Sequence, residues 1–358
     1  MKLLVSALET SSNIHLKALK KELNDDVEFI GIFDKTLGNP TYDISSLAVM
    51  GFVDALKKLP FFLKLNNEMV ELAASADKIL LMDSSGFNLP LAKKIKKKYP
   101  KKEIIYYILP QAWAWKKKRI PVIEKTCDTL CSILPFEKDF YSKKEKISYV
   151  GHPLLDEIEH FKDAITNKQK IAFMPGSRSG EIKKLMPIYS KLASQINKNT
   201  TNELILIIPS HFTQEYIDKT YGDISNFTIS KDAHKTLQDV DFAFICSGTA
   251  TLEAALIGTP FTLSYIAKPL DYFIAKNLVK IKYIGLANIF FDKMRKEPIH
   301  KEFIQEEVTV DNLLKEYNQM DKNRFLENSN ILREYLKFGS SANVAKIIQS
   351  RETKVNIN

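Results

Sequence analysis

The stretch Phe242 to Pro260, FAFICSGTATLEAALIGTP, decides how the rest of the chain is read. Phe242 to Cys246 is a short apolar run, the pattern of a buried parallel strand. Ser247, Gly248 and Thr249 are small residues that turn the chain. Thr251 to Ile257 carries good helix formers, and Gly258 with Pro260 ends the helix. Strand, small-residue turn and helix make a site at the carboxyl edge of a sheet, where helix N–H groups and the helix dipole favour a phosphate. Glu253, one turn into that helix, adds a carboxylate able to accept hydrogen bonds from both hydroxyls of a ribose. Taken alone, the stretch is also what an ordinary βα unit looks like.

The same rhythm extends in both directions. Before it come apolar runs at Ile171–Met174, Leu204–Pro209 and Phe227–Ser230, and after it Phe261–Ile266. A polar stretch, Glu159 to Gln169, separates this half from an earlier one with strands at Lys2–Leu8, Val27–Phe33, Ile79–Met82, Glu103–Leu109, Thr129–Leu134 and Ile147–Val150. Helical or loop segments lie between the strands, including a helix from about Ile14 to Leu23. The alternation predicts parallel sheets wound with helices: an α/β fold of two Rossmann-like domains facing a cleft. The expected division is 1–160, 170–330 and a helical tail over 331–358.

The 358 residues are enough for about two domains, and 45% apolar with 27% charged residues is a globular composition. Three cysteines give no disulfide framework, and no secretory signal opens the chain, so a cytoplasmic location is expected. No apolar run approaches the roughly 18 residues a membrane span needs. Net charge is +9, and residues 1–150 carry 25 Lys and Arg against 18 Asp and Glu. A basic first half suits nucleic acid, an anionic membrane or an anionic substrate. Leu47 to Ala76 is helical in character, with Pro60 placed to start a second helix. Phe61, Phe62 and their apolar neighbours, interleaved with Lys57, Lys58 and Lys64, fit either core-packed helices or a membrane-facing patch.

Three further stretches bear on chemistry. MPGSRSGE (174–181) follows a strand and precedes a helix, so Gly176 and Ser177 let backbone N–H groups approach an anion, and Arg178 can fork two donors onto phosphate oxygens. It lacks the GK[ST] of a Walker A loop. With the SGT turn, it suggests one diphosphate gripped from two loops. LLMDSSGFN (80–88) places Asp83 at the end of a strand, where a carboxylate can take a proton from an attacking hydroxyl; a turn or capping aspartate reads the same. PQAWAWKKKR (110–119) sets two tryptophans beside four cations. No HExxH, Cys/His cluster or G-x-S-x-G elbow occurs. Asp239 and Asp241 form the one Asp-x-Asp pair, but on the amino edge of the sheet, away from the expected site.

These stretches, with ETSSN (9–13), LAVMGFVDAL (47–56), LPFEKDFY (134–141), YVGHPLLD (149–156), KPLDYFIAKNLVK (268–280) and GLANIF (285–290), run in one order through most of the chain. Together they make it resemble the lipid-A-disaccharide synthases, glycosyltransferases of the two-Rossmann-domain (GT-B) type. The resemblance implies a metal-independent, inverting reaction without cofactor. A 2,3-diacylglucosamine unit moves from UDP to 2,3-diacylglucosamine 1-phosphate, giving a β(1→6) disaccharide and UDP. By motif, Asp83 matches the general base and Arg178 the essential arginine at the UDP diphosphate. Gly176, Ser177, Ser247, Gly248, Thr249 and Glu253 fall in the UDP-binding turns, and Asn288 at a position near the nucleotide. Glu9, Ser11, Gln111, Trp115, Phe61 and Phe62 are candidate substrate or membrane contacts. The implied partners are the two acylated sugars and the inner face of the cytoplasmic membrane, with no nucleic acid; oligomeric state stays open.

The sequence departs from the family pattern at Leu8, Ser12 and Asn13, where glycine, glycine and aspartate are usual, and at Gly86, where many members carry a second acid. Another UDP-sugar glycosyltransferase or a UDP-sugar epimerase of the same architecture is the alternative enzyme. A nucleic-acid-binding protein and a non-catalytic nucleotide sensor are the alternatives of other classes.

Overall fold

The computed structural model describes residues 1–44, 59–113, 117–267 and 282–350. They form two units, residues 1–157 with 336–350, and residues 158–335.

The first unit is built on a seven-stranded parallel sheet: β1 (Lys2–Ala7), β2 (Glu28–Phe33), β3 (Tyr42–Asp43), β4 (Lys78–Met82), β5 (Glu103–Tyr107), β6 (Thr129–Ser132) and β7 (Ile147–Tyr149). Their order is β3-β2-β1-β4-β5-β6-β7, with Leu3 opposite both Phe29 and Lys78. The strands read as continuous apolar runs because both faces are covered. Leu4, Ile79, Leu81, Ile104 and Tyr106 pack toward helices Leu59–Leu72, Ser85–Lys98 and Ile120–Thr126. Leu3, Val5, Leu80, Met82, Ile105 and Tyr107 pack on the opposite side with helices Thr10–Glu22 and Ser340–Gln349.

The second unit repeats the plan with six parallel strands: β8 (Lys170–Met174), β9 (Glu203–Ile207), β10 (Thr228–Ser230), β11 (Phe242–Cys246), β12 (Phe261–Tyr265) and β13 (Glu302–Ile304). The order is β10-β9-β8-β11-β12-β13. Aromatic packing dominates one face, where Phe173 stacks on Phe244 at 5.1 Å and meets Tyr189 edge-on at 5.5 Å. In each sheet the strand order reverses once, between β1 and β4 and between β8 and β11. Ligands of open parallel sheets bind at such switch points, outside the carboxyl ends of the strands.

The tail expected over 331–358 is divided. Helix Lys322–Leu336 begins in the second unit, whereas helix Ser340–Gln349 returns to the first and buries Val344, Ile347 and Ile348 in its core. Gly339 and Ser341 donate their backbone N–H groups to Asp156 (2.8 Å each), and Tyr107 Oη meets Ser340 Oγ at 2.8 Å. Phe61 and Phe62, candidates for a membrane-facing patch, are half-buried and pack against the first unit's core, Phe62 edge-on to Phe87 at 6.3 Å. The exposed neighbour is Leu63, 52% exposed. Most of the remaining apolar stretch from Val49 lies outside the described residues, as does Trp115.

Candidate active site

Two loops meet at the switch point of the second sheet. One leaves β8 through Gly176, Ser177 and Arg178 into helix Ser179–Asn199; the other leaves β11 through Ser247 and Gly248 into helix Thr249–Ile257. Together with Lys231 and Ala233 they line an open pocket of ≈ 370 Å³. Two helix N-termini therefore face one cavity, and their N–H groups and dipoles favour an anion there. Only glycine fits position 176: its φ is +104°, and a Cβ would sit 2.6 Å from Glu181 Oε2 and 3.2 Å from Cys246 Sγ.

Arg178 lies at the mouth, its side chain 80% exposed, with Nη1 donating to Glu181 Oε1 at 2.9 Å. The Arg178 backbone N–H also points to Glu181 Oε2, at 3.3 Å. The arginine end of this pair is open to solvent, while the Glu181 side chain is 12% exposed. Glu253 sits one turn into helix Thr249–Ile257, 8% exposed, with its carboxylate 3.0 Å from His234 Nε2. Lys231 and His234 escaped the sequence reading, and Glu181 entered it only as the last residue of MPGSRSGE. Glu181 was visible as the acid at the third helical position after Arg178, but no local motif announces Lys231, which lines the pocket from just past β10, or His234, which meets Glu253 from helix Ala233–Asp239.

Asn288 is not a direct ligand in this arrangement. It is fully buried, its Nδ2 donating to His300 O (3.0 Å) and Glu302 Oε1 (2.8 Å) and its Oδ1 accepting from the backbone N–H of Ile299 (3.0 Å) and His300 (3.3 Å). With both amide protons and both lone pairs engaged, it fixes the β12–β13 connection. Glu302 completes the arrangement by accepting from Ile284 and Gly285 N–H at the start of helix Leu286–Lys293.

At the switch point of the first sheet, Asp83 follows β4 and Glu9 follows β1. Burial, then the Glu9 charge, raises the Asp83 pKa above its ordinary value. Ser84 Oγ donates to Glu9 Oε1 at 2.9 Å, tying the two strand ends together. Asp83 and Ser84 both adopt positive φ, +46° and +38°, and Ile108, just past β5, has φ +59°. Left-handed backbone costs a non-glycine residue roughly 1–2 kcal/mol, so strain is concentrated at this edge. Glu9, Ser11 and Gln111 are exposed, whereas Trp113 is buried edge-on against Phe136 at 4.9 Å.

The departures from the family pattern have local explanations. Leu8 and Ser12 are buried. Asn13 donates from Nδ2 to the carbonyls of Ala7 and Glu9 (2.9 Å each) and accepts from Asp34 N–H at 2.7 Å. An ionised aspartate could not make those two donations, so the amide serves the helix start itself. Gly86 is exposed, and a Cβ there would meet nothing within 4 Å. The Asp-x-Asp pair is committed elsewhere: Asp239 binds Lys168 and Lys170 at 2.6 and 2.7 Å, which holds its pKa down to about 2. Asp241 accepts from Thr166 Oγ1 at 2.7 Å.

Comparison with known proteins bears on the fold and the family. A crystal structure of UDP-GlcNAc 2-epimerase from Neisseria meningitidis bound to UDP-GlcNAc matches with a TM-score of 0.60 at 11% identity, covering 97% of this chain and 98% of that one. Acinetobacter baumannii MurG matches with a TM-score of 0.58 at 14% identity, covering 97% and 99%. At such identities the likeness is one of fold, the two-domain GT-B class. Sequence relatives are nearer. The lipid-A-disaccharide synthase of Helicobacter pylori (strain ATCC 700392 / 26695) is 51% identical over 352 residues, 96% of each chain. That of Campylobacter jejuni (strain RM1221) is 47% identical over 366 residues, covering 96% of this chain and 98% of its own. The family model for lipid-A-disaccharide synthetase matches residues 3–350. With both switch points furnished as described, the chain belongs to the lipid-A-disaccharide synthase family of glycosyltransferases.

Proposed function

We propose that this protein transfers 2,3-diacylglucosamine from UDP to the 6-hydroxyl of 2,3-diacylglucosamine 1-phosphate with inversion, without metal or cofactor. The acceptor oxygen attacks the anomeric carbon as the bond from that carbon to the diphosphate oxygen breaks. Asp83 takes the hydroxyl proton, and UDP leaves with the bonding electron pair. The observation that carries this reading is the pairing of chemistries at the two switch points, a proton acceptor at one and a doubly helix-capped anion pocket at the other. Arg178 leaves Glu181 to meet the diphosphate, the N-termini of helices Ser179–Asn199 and Thr249–Ile257 share its charge, and Glu253 accepts from the ribose hydroxyls. Arg178 and the two helix N-termini supply the positive counter-charge that a divalent ion would otherwise supply.

Both substrates carry acyl chains, so the protein works against the inner face of the cytoplasmic membrane. Among the described residues no helix is long and apolar enough to cross a membrane. Exposed Leu63 beside Lys64, whose side chain is 77% exposed, suits surface contact with an anionic leaflet.

Product analysis tests the reaction. Incubation with the two acylated substrates should release UDP and β(1→6) disaccharide 1-phosphate in equal amounts, undiminished by exhaustive chelation. Return of an epimerised UDP-sugar, or activity lost to chelation and restored by Mg²⁺, would overturn the reading.

A further inference from the structure

The turn bearing Asp83 is held by groups to which no role in the reaction has been given. Asp83 closes β4 with its N–H directed at Tyr107 O of β5 at 3.4 Å, the last rung of that ladder. Its carbonyl then leaves the sheet and receives two donors, Tyr106 Oη at 2.6 Å and Asn88 Nδ2 at 3.0 Å. Asn88 is fully buried in helix Ser85–Lys98. Its Nδ2 also donates to Met82 O at 3.0 Å, and its Oδ1 accepts from the buried Ser6 Oγ of β1 at 2.6 Å. One amide thus joins three pieces: the end of β1, the end of β4 and the first turns of the helix that follows. Tyr106 adds the end of β5. Burial holds the Tyr106 phenol well above its ordinary pKa, so it stays protonated and able to donate.

These contacts converge on the residue pair with the least favourable backbone, Asp83 and Ser84 at φ +46° and +38°. Neither residue has the freedom of glycine there. The left-handed pair persists because both lone pairs of the Asp83 carbonyl are captured. Were the peptide to relax toward the right-handed region, the carbonyl would lose both donors and the Asp83 carboxylate would swing with its own Cα. A displacement of about 1 Å at a reacting group can cost roughly 10²-fold in rate.

We propose that Asn88 and Tyr106 are positioning residues for transfer: they clamp the Asp83 carbonyl and thereby aim its carboxylate at the acceptor hydroxyl. This rests on the reading of Asp83 as general base. The clamp acts through backbone geometry, so it should govern turnover and not nucleotide affinity.

The test uses the full chain with both acylated substrates and three variants measured together, Tyr106→Phe, Asn88→Ala and Asp83→Asn, each with a thermal unfolding curve. Tyr106→Phe removes one donor at constant ring shape, and its kcat should fall about tenfold with KM for the UDP-sugar within twofold of the parent. Asn88→Ala should fall about a hundredfold with KM again unchanged. The acid limb of kcat should also move toward the ordinary carboxylate range, because a released Asp83 is better solvated and farther from Glu9. Loss of packing alone would lower the active fraction and leave KM and the limb where they were.

If Asn88→Ala does not fold, Tyr106→Phe decides alone. Folded variants with parental kcat, or a loss matched by the unfolded fraction with an unmoved pH profile, overturn the clamp. Asp83→Asn separates the two claims. If it loses turnover while folded Tyr106→Phe keeps it, the base stands and the clamp fails. If Asp83→Asn turns over like the parent, the base reading fails and the clamp with it.

Discussion

Asp83 and Glu9 set two carboxylates at adjacent strand ends. Burial and the Glu9 charge both push the Asp83 pKa up, so in the proposed reaction a proton taken there would be held more firmly than by a surface aspartate. The acid limb of kcat should accordingly lie above the usual carboxylate range of about 4. Glu9→Gln keeps an acceptor for Ser84 Oγ and removes the like charge, so a pH–rate series should show that limb moving down. A limb that stays put would exclude Glu9 as the cause. Elsewhere in the first unit, burial pushes the Glu137 carboxyl up to about 8, even though Ser132 Oγ donates to it at 2.6 Å. Its folded form binds a proton more tightly than the unfolded chain does. Stability is therefore full below the unfolded value near 4.5 and falls as pH rises toward 8, by at most roughly 1.4 kcal/mol per pH unit. Denaturant titrations across that window should show the slope in the parent and its loss in Glu137→Gln.

Helix Thr249–Ile257 shows what an element adds to its residues. Thr251 to Ile257 are all buried, and the helix stops at Gly258 with φ +90°. Arg333 closes that end, Nε donating to Leu256 O at 2.7 Å and Nη2 to Ile257 O at 3.0 Å. A Cβ on residue 258 would approach Arg333 Nη2 and Leu326 Cδ1 to 2.9 Å in a conformation side chains avoid. Gly258→Ala should destabilise the protein by about 1–3 kcal/mol, seen as a shift of the denaturation midpoint. This element was legible in the sequence, since an apolar strand, small turn and Gly-Pro stop are all local signals. Helix Thr10–Glu22 was less so: the expected helix began at about Ile14, yet Thr10, Ser11 and Ser12 form its first turn, where Asn13 bonds back to Ala7 and Glu9. β3 and β13 were missed because two or three residues at a sheet edge, with Asp43 and Glu302 among them, carry no alternation to read. Asn288 was assigned to the nucleotide by motif, and only its tertiary partners show that its amide is already consumed.

The division into two sheets was legible across the whole molecule because the strand rhythm stops at the polar stretch 159–169 and restarts. The return of helix Ser340–Gln349 to the first unit was not. That contact joins residues more than three hundred positions apart, and an amphipathic helix does not say which core it covers. Val344, Ile347 and Ile348 each remove about 1.5–3 kcal/mol of apolar exposure when buried. Ending the chain at Lys337 should therefore cost the first unit on the order of 5 kcal/mol, comparable to the whole stability of a domain. Two-step unfolding followed by hydrogen exchange should find residues 1–157 unprotected while 158–335 keep their protection. Equal protection of both units would show the tail to be dispensable.

In the proposed reaction, proton transfer and diphosphate binding fall to different switch points, and UDP affinity and turnover measured together in two variants test that division. Charged hydrogen bonds contribute about 1.5–3 kcal/mol each, so Arg178→Ala should weaken UDP binding roughly 10- to 150-fold. Losing a positioned base costs about 10²–10⁴-fold, so Asp83→Asn should lose that much turnover while UDP binds as it does to the parent. Equal loss of UDP affinity in both variants, or parental turnover in Asp83→Asn, would contradict the account.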